Sequence, residues 1–284
     1  MEDEQKKKKV NWFPGHMKSA MEDIEETKIK LADCILYVLD ARAPFACINP
    51  FVDKIVHNKP IIYVLNKCDL ADDERTKEVK KQFIENGKTI IETVANSASF
   101  RNAVKNAIKS VLSEKIARNK QKGVNIVYKV IILGVPNTGK SSLINMLCGS
   151  KKAKTGNIAG VTRGNTWLKI DEMFTMLDTP GILWPRFKEE LSHNLAFVGS
   201  LSDKEFDMAD MGYELMQILC DRYPHLIEDK FGIKIEYDEF LEFYDKICAK
   251  RGFLMRGGDV DYHRAGKTFV DEFRNGKFGK ITLE

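Results

Sequence analysis

The sequence predicts an α/β domain with a doubly wound, mostly parallel sheet, followed by an all-α C-terminal domain. Three observations carry this reading. Short apolar runs at 34–39, 60–65, 89–94 and 129–133 alternate with segments of helical period. Polar residues suited to chemistry (Asp40, Asn66, Asp69, Ser97 and the stretch 134–141) each follow such a run. That is where the loops of an open parallel sheet gather a ligand. Beyond residue 185 the period becomes helical for about a hundred residues.

Taken in order, residues 1–11 form a polar lead with a Lys tract at 6–9, followed by Trp-Phe-Pro-Gly-His-Met at 12–17. An amphipathic helix is expected from 18 to 31, a buried strand at 34–39 ending in Asp40-Ala-Arg-Ala-Pro44, and a helix over 51–57. The next strand, 60–65, ends in Asn66-Lys67-Cys68-Asp69. A charged helix at 73–86, a strand at 89–94 and Asn96-Ser97-Ala98 come next. One long basic helix is expected from 100 to 122, leading into the strand at 129–133. Two strands at 166–170 and 173–177 precede Asp178-Thr-Pro-Gly181. Helices are expected near 188–201, 203–222, 238–250 and 260–276, with Pro224 and the glycines of 252–258 as breaks.

Composition bounds the function classes. With 284 residues, 43% hydrophobic and 30% charged, the chain can bury one large core or two ordinary ones. No apolar run approaches the roughly 18–20 residues needed to span a bilayer. The lead has no apolar core of a secretory signal. The six cysteines are scattered without a C-x-x-C pair and are expected to be reduced. A cytoplasmic protein with no membrane partner is the expectation. Charge is uneven: residues 115–154 hold nine Lys/Arg and no Asp/Glu, whereas 188–250 hold seven basic against fifteen acidic residues. Such asymmetry fits a polyanionic partner on one face, or a solvated surface beside a phosphate site.

Gly134-Val-Pro-Asn-Thr-Gly-Lys-Ser141 fits G-x-x-x-x-G-K-[ST] between a β-branched run and a helical one. That context turns the pattern into a phosphate cradle. The loop amides and the helix N-terminus would face the phosphates, with Pro136 among the loop's candidate contacts. Lys140 would reach the β/γ oxygens, Ser141 would ligate Mg²⁺, and Asn137, Thr138, Gly139 and Ser142 complete the cradle. Asp69 of N-K-x-D can accept two hydrogen bonds from guanine, which adenine cannot offer, so GTP and GDP are the expected ligands. Asn66 and Lys67 of the same motif are further nucleotide-binding candidates, and Ser97-Ala98 would add backbone contact to the guanine carbonyl. Asp178 would hold Mg²⁺ through water, Gly181 would offer its amide to the γ-phosphate, and Thr162 is the candidate switch hydroxyl on Mg²⁺.

The order of these parts is unusual, because N-K-x-D precedes the phosphate loop and D-T-P-G follows it. The set resembles the circularly permuted P-loop GTPases. Trp-Phe-Pro-Gly-His-Met at 12–17, Asp40-Ala-Arg-Ala-Pro44, the phosphate loop and Asp178-Thr-Pro-Gly-Ile-Leu-Trp-Pro185 together resemble the ribosome biogenesis GTPase A family. The likeness extends to Lys250-Arg-Gly-Phe-Leu-Met-Arg-Gly-Gly258. Thr138 departs from it, standing where Val is usual, and Ser97-Ala98-Ser-Phe100 lacks the usual glycine-bearing continuation. The resemblance implies an N-terminal segment at 1–17, a permuted G domain at 18–185 and a helical domain at 186–284. It also implies a role in late maturation of the large ribosomal subunit; the polyanion that the basic stretch would meet is then its rRNA, with ribosomal proteins as further partners, and a monomer is expected.

Ile182 occupies the position where many GTPases carry a water-orienting glutamine, and an aliphatic side chain cannot align water. Intrinsic hydrolysis is therefore expected to be slow. His16 is the candidate to orient the water once a partner docks; a helix-capping histidine is the alternative. Asn137 could also hold K⁺ over the phosphates. Two rival functions stay open: a nucleotide-gated RNA-binding module with negligible turnover, and a metabolic P-loop kinase, against which N-K-x-D speaks.

Overall fold

The computed structural model describes residues 28–50, 52, 56, 58–95, 97–149, 167–181, 183–184 and 189–284. The motif at 12–17 with His16, the candidate Thr162, Ile182 and most of the expected helix at 51–57 lie outside the described residues. Of the helix expected at 18–31, only its end, Ile29–Leu31, is described.

Six strands form one sheet: β1 (Cys34–Asp40), β2 (Ile61–Asn66), β3 (Thr89–Thr93), β4 (Tyr128–Leu133), β5 (Trp167–Lys169) and β6 (Phe174–Leu177). Their order is β3-β2-β1-β4-β6-β5. All neighbours pair in parallel except β5, which runs antiparallel to β6 at the edge. The reason lies in the side chains. All seven residues of β1 are buried, as a central strand covered on both faces requires. Cys34, Leu36 and Val38 point to one face and pack with Val104, Ile108, Leu143 and Ile144. Ile35, Tyr37 and Leu39 point to the other and pack with Val79 and Phe83. The covering helices are α1 (Asp73–Glu85), α2 (Arg101–Val111), α3 (Ser113–Gln121) and α4 (Lys140–Cys148). The single helix expected at 100–122 is two, because the chain turns at Leu112, whose backbone (φ −99°, ψ 6°) leaves the helical region. Leu112 is buried there while α3 buries none of its own residues.

The helical region comprises α5 (Glu189–Phe197), α6 (Met208–Arg222), α7 (Pro224–Phe231), α8 (Phe240–Lys250) and α9 (Tyr262–Arg274). Pro224 does mark a break, between α6 and α7, and it also starts α7, a helix that the sequence reading does not place. At the first helical position its missing N–H is no loss and its fixed φ suits the turn. The glycines of 252–258 do interrupt the helices, forming a small hairpin with a Leu254–Val260 bridge. Helices α6 and α9 cross with their backbones in contact. A Cβ on Gly212 would lie 2.0 Å from the Gly266 Cα. One hydrophobic core runs from the Ile35 face of the sheet through Phe197, Leu215 and Phe269, so the helices and the sheet pack as one body. Among the described residues, no helix is long and apolar enough to cross a membrane.

Candidate functional site

The carboxyl ends of β1, β2, β3, β4 and β6 point to one edge, and the sequence-predicted residues that are described gather there. Gly134 opens the phosphate loop at φ +146°, with Val38 O only 2.5 Å from where a Cβ would sit. Asn137 adopts φ +61° and Gly139 φ +95°. These left-handed positions turn the loop so that its amides run into the N-terminus of α4. A Cβ on Gly139 would meet Asn66 Nδ2 at 2.3 Å.

Asn66 is almost wholly buried and knits three segments. Its Nδ2 donates to Thr138 O at 2.8 Å, and its Oδ1 accepts from Ala95 N at 2.9 Å and Thr93 Oγ1 at 3.1 Å. The asparagine of N-K-x-D thus fixes the phosphate loop against β2 and β3. Losing it would orphan several buried polar groups at about 1–3 kcal/mol each. Lys67 (φ +63°) donates to Asp40 Oδ2 at 2.6 Å and to Asn137 O at 2.7 Å. Asp69 is exposed on the wall of a cleft of about 960 Å³.

The cradle's side chains divide by direction. Thr138 is fully buried, its hydroxyl donating to Val135 O at 3.1 Å, so only its backbone is available to a ligand. Lys140 donates to Gly134 O at 3.0 Å and Val135 O at 2.8 Å. Burial lowers its pKa to about 8, against the opposing pull of Asp178. A lysine depressed in this way weakens the fold while it is charged. That penalty is whole below about pH 8 and is relieved as pH climbs toward the ordinary lysine value. An anion beside Lys140 has the same relieving effect at neutral pH. Ser141 Oγ donates to Asp178 Oδ2 at 3.3 Å. A hydroxyl converging on a carboxylate is a hard-oxygen donor set, which fits Mg²⁺. Asp178 is held by its neighbour Thr179, whose hydroxyl donates to Ile132 O at 2.6 Å. Gly181 packs on the loop, a Cβ there falling 2.7 Å from the Pro136 Cα.

Ser97 and Ala98 follow the end of β3; Ala98 opens a 3₁₀ turn (Ala98–Phe100), and Ser97 Oγ pairs with Ser99 Oγ at 2.7 Å. The cleft wall at this point is formed by Val94 and Ala95, which sequence reasoning did not select. The cleft is also lined by Gly199, Ser200, Asp203 and Arg274 from the helical region, none of them a sequence-based candidate for this site. Two of them bind the phosphate loop: Asn137 Nδ2 donates to Gly199 O at 2.6 Å and Ser200 Oγ to Pro136 O at 2.7 Å. No local sequence signal marks these partners, which lie more than sixty positions away. For a cation such as K⁺, the Asn137 side chain keeps only its amide oxygen.

Asp40 and Arg42 form a buried pair at the end of β1, with Arg42 Nη2 2.8 Å from Asp40 Oδ2. Burial by itself would raise the Asp40 pKa. Arg42 and Lys67 outweigh it and hold the carboxyl well below the usual carboxylate range.

A protein-family model described as "50S ribosome-binding GTPase" matches residues 129–246. Ribosome biogenesis GTPase A of Bacillus cereus is 36% identical over 277 residues, covering 97% of this chain and 93% of its own. Among solved structures, the GDP-bound structure of TM YlqF has a TM-score of 0.65 at 31% identity, covering 91% of this chain and 97% of the other. The GNP-bound YlqF from T. maritima has a TM-score of 0.62 at 31% identity, covering 91% and 95%.

Proposed function

Because this chain belongs to the ribosome biogenesis GTPase A family, we propose that it binds the large ribosomal subunit late in maturation and hydrolyses GTP there, stimulated by the particle. The single observation that carries the reading is convergence. N-K-x-D and the phosphate loop line one cleft together with residues of the helical region, and D-T-P-G packs on the phosphate loop through Asp178 at Ser141 and Gly181 at Pro136.

In this reading Asp69 selects guanine, with Lys67, Ser97 and Ala98 bordering the base. Lys140 leaves the loop carbonyls for the β/γ-phosphate oxygens, and the amides of the loop and of Gly181 bind the phosphates. Ser141, Asp178 and Thr162 would hold Mg²⁺, which when bound neutralises phosphate charge. His16 orients the attacking water, since Ile182 cannot. Asn137 contributes to a K⁺ site through its amide oxygen. The order of parts has a mechanical consequence. Residues beyond Gly181 respond to the γ-phosphate and run directly into the helices, so nucleotide state reaches the 186–284 domain by covalent connection. Exposed Lys109, Arg118, Lys120 and Lys122 on and beside α2 and α3 supply positive charge for rRNA phosphates.

Sedimentation with purified large subunits tests the docking half of this reading. With a non-hydrolysable GTP analogue the protein is expected to pellet with the particle, and to be released by GDP or by raised salt. Equal pelleting with either nucleotide would remove the nucleotide gate. Absence of pelleting in every state would remove the partner.

A further inference from the structure

Helix α9 ends on the loops that border the base. Arg42, 2% exposed, turns its Nε and Nη2 to the Asp40 carboxylate at 2.9 and 2.8 Å. Its Nη1 donates to Arg274 O at 3.0 Å and Phe273 O at 3.3 Å. Those are last-turn carbonyls of α9, which need donors from outside the helix. Asp40 in turn accepts from Lys67, and Lys67 also holds Asn137 O of the phosphate loop. An unbroken line of charge-assisted hydrogen bonds therefore runs from the phosphate loop to the end of α9. A second set of contacts runs alongside it. Ile281 N donates to Leu70 O at 3.0 Å and Leu283 N to Arg42 O at 2.7 Å, next to N-K-x-D and within the β1 loop.

A buried ion pair is weak evidence for stability, because well-packed apolar side chains often do as well. What apolar packing could not do is make the seat of α9 depend on where the Lys67 ammonium lies. Only a guanidinium has the planar fork to bind a carboxylate through two nitrogens and helix carbonyls through a third.

We propose that Arg42 is a positioning residue that ties the end of α9 to the base-bordering loop through Asp40 and Lys67. Nucleotide in the cleft and seating of the helical domain thereby favour one another. The inference rests on the reading of this cleft as a guanine-nucleotide site. Coupling of this kind is reciprocal, and typical values begin at about fivefold.

Hydrogen exchange tests it at the amides of Asn275, Gly276 and Lys277, which close the turn after α9 on Asp271, Phe273 and Glu272. GDP at saturating concentration is expected to slow their exchange about fivefold in the natural protein. The same slowing is expected in Lys280→Ala, which removes only a surface ion pair to Asp73. In Arg42→Lys, saturated with GDP, the difference between bound and free protein disappears. Lys67→Met leaves the Asp40–Arg42 pair whole, cuts the line at its other end, and is expected to lose the difference as well. A purely structural role predicts something else: faster exchange in Arg42→Lys with and without GDP, with the difference kept. That result would overturn the proposal, as would a natural protein that binds GDP with no change at these amides. Failure to bind guanine nucleotides at all would overturn the reading of the cleft, and the relay with it.

Discussion

Asp69→Asn will weaken GDP binding about 100-fold and raise affinity for xanthosine diphosphate. In the proposed reading the carboxylate accepts from both the ring N–H and the exocyclic amine of guanine. Hydrogen bonds to a charged group contribute about 1.5–3 kcal/mol each, and about 1.4 kcal/mol is a factor of ten. An asparagine keeps one acceptor and turns a donor toward the second position. Xanthine carries a carbonyl where guanine carries the amine, so the donor finds its partner there. Because Asp69 is exposed at the cleft, its replacement should leave thermal stability nearly unchanged. Titration calorimetry with both diphosphates measures the exchange of preference. Unchanged GDP affinity would mean that Asp69 does not touch the base.

Gly266→Ala is expected to destabilise the protein by about 3 kcal/mol or more, lowering the melting temperature by roughly 10 °C. The added methyl would lie 1.8 Å from Met208 O, a backbone atom of the crossing helix that no rotamer change can move. The helices must separate to admit it, and the core they share with the sheet loosens with them. His263→Ala, at an exposed position on the same helix, should shift melting little and serves as the comparison. A Gly266→Ala protein that melts like its parent would show that the helices do not cross this closely in solution.

The parts legible in the sequence are those whose cause is local. Each buried strand is a continuous apolar run, and the residues at its carboxyl end are read straight off the next few positions, as with Asp40, Asn66 and the loop at 134–141. Direction is harder. Thr138 reads as one more polar residue of the cradle, but the left-handed turns on either side of it send its hydroxyl back to Val135 O. Asn66 reads as one more nucleotide-binding residue of N-K-x-D, yet its amide is largely taken up by Thr138, Thr93 and Ala95, because three loops end beside it. Pro224 carries the same covalent restriction whether it ends a helix or begins one, and only the path of the chain decides. The contacts of Arg42 with α9 are the least legible, since the carbonyls it holds lie 231 and 232 positions away. Nothing in Asp40-Ala-Arg42 announces them beyond the i, i+2 spacing of opposite charges at the end of a strand.

The most direct measurement of the central claim is GTP turnover in KCl, with and without purified large ribosomal subunits, for the natural protein and His16→Ala. Slow turnover alone, strong stimulation by the particle, and loss of that stimulation in His16→Ala are the predicted results. A natural protein that binds guanine nucleotides yet turns over no faster with the particle would contradict the account and leave a nucleotide-gated binding module in its place.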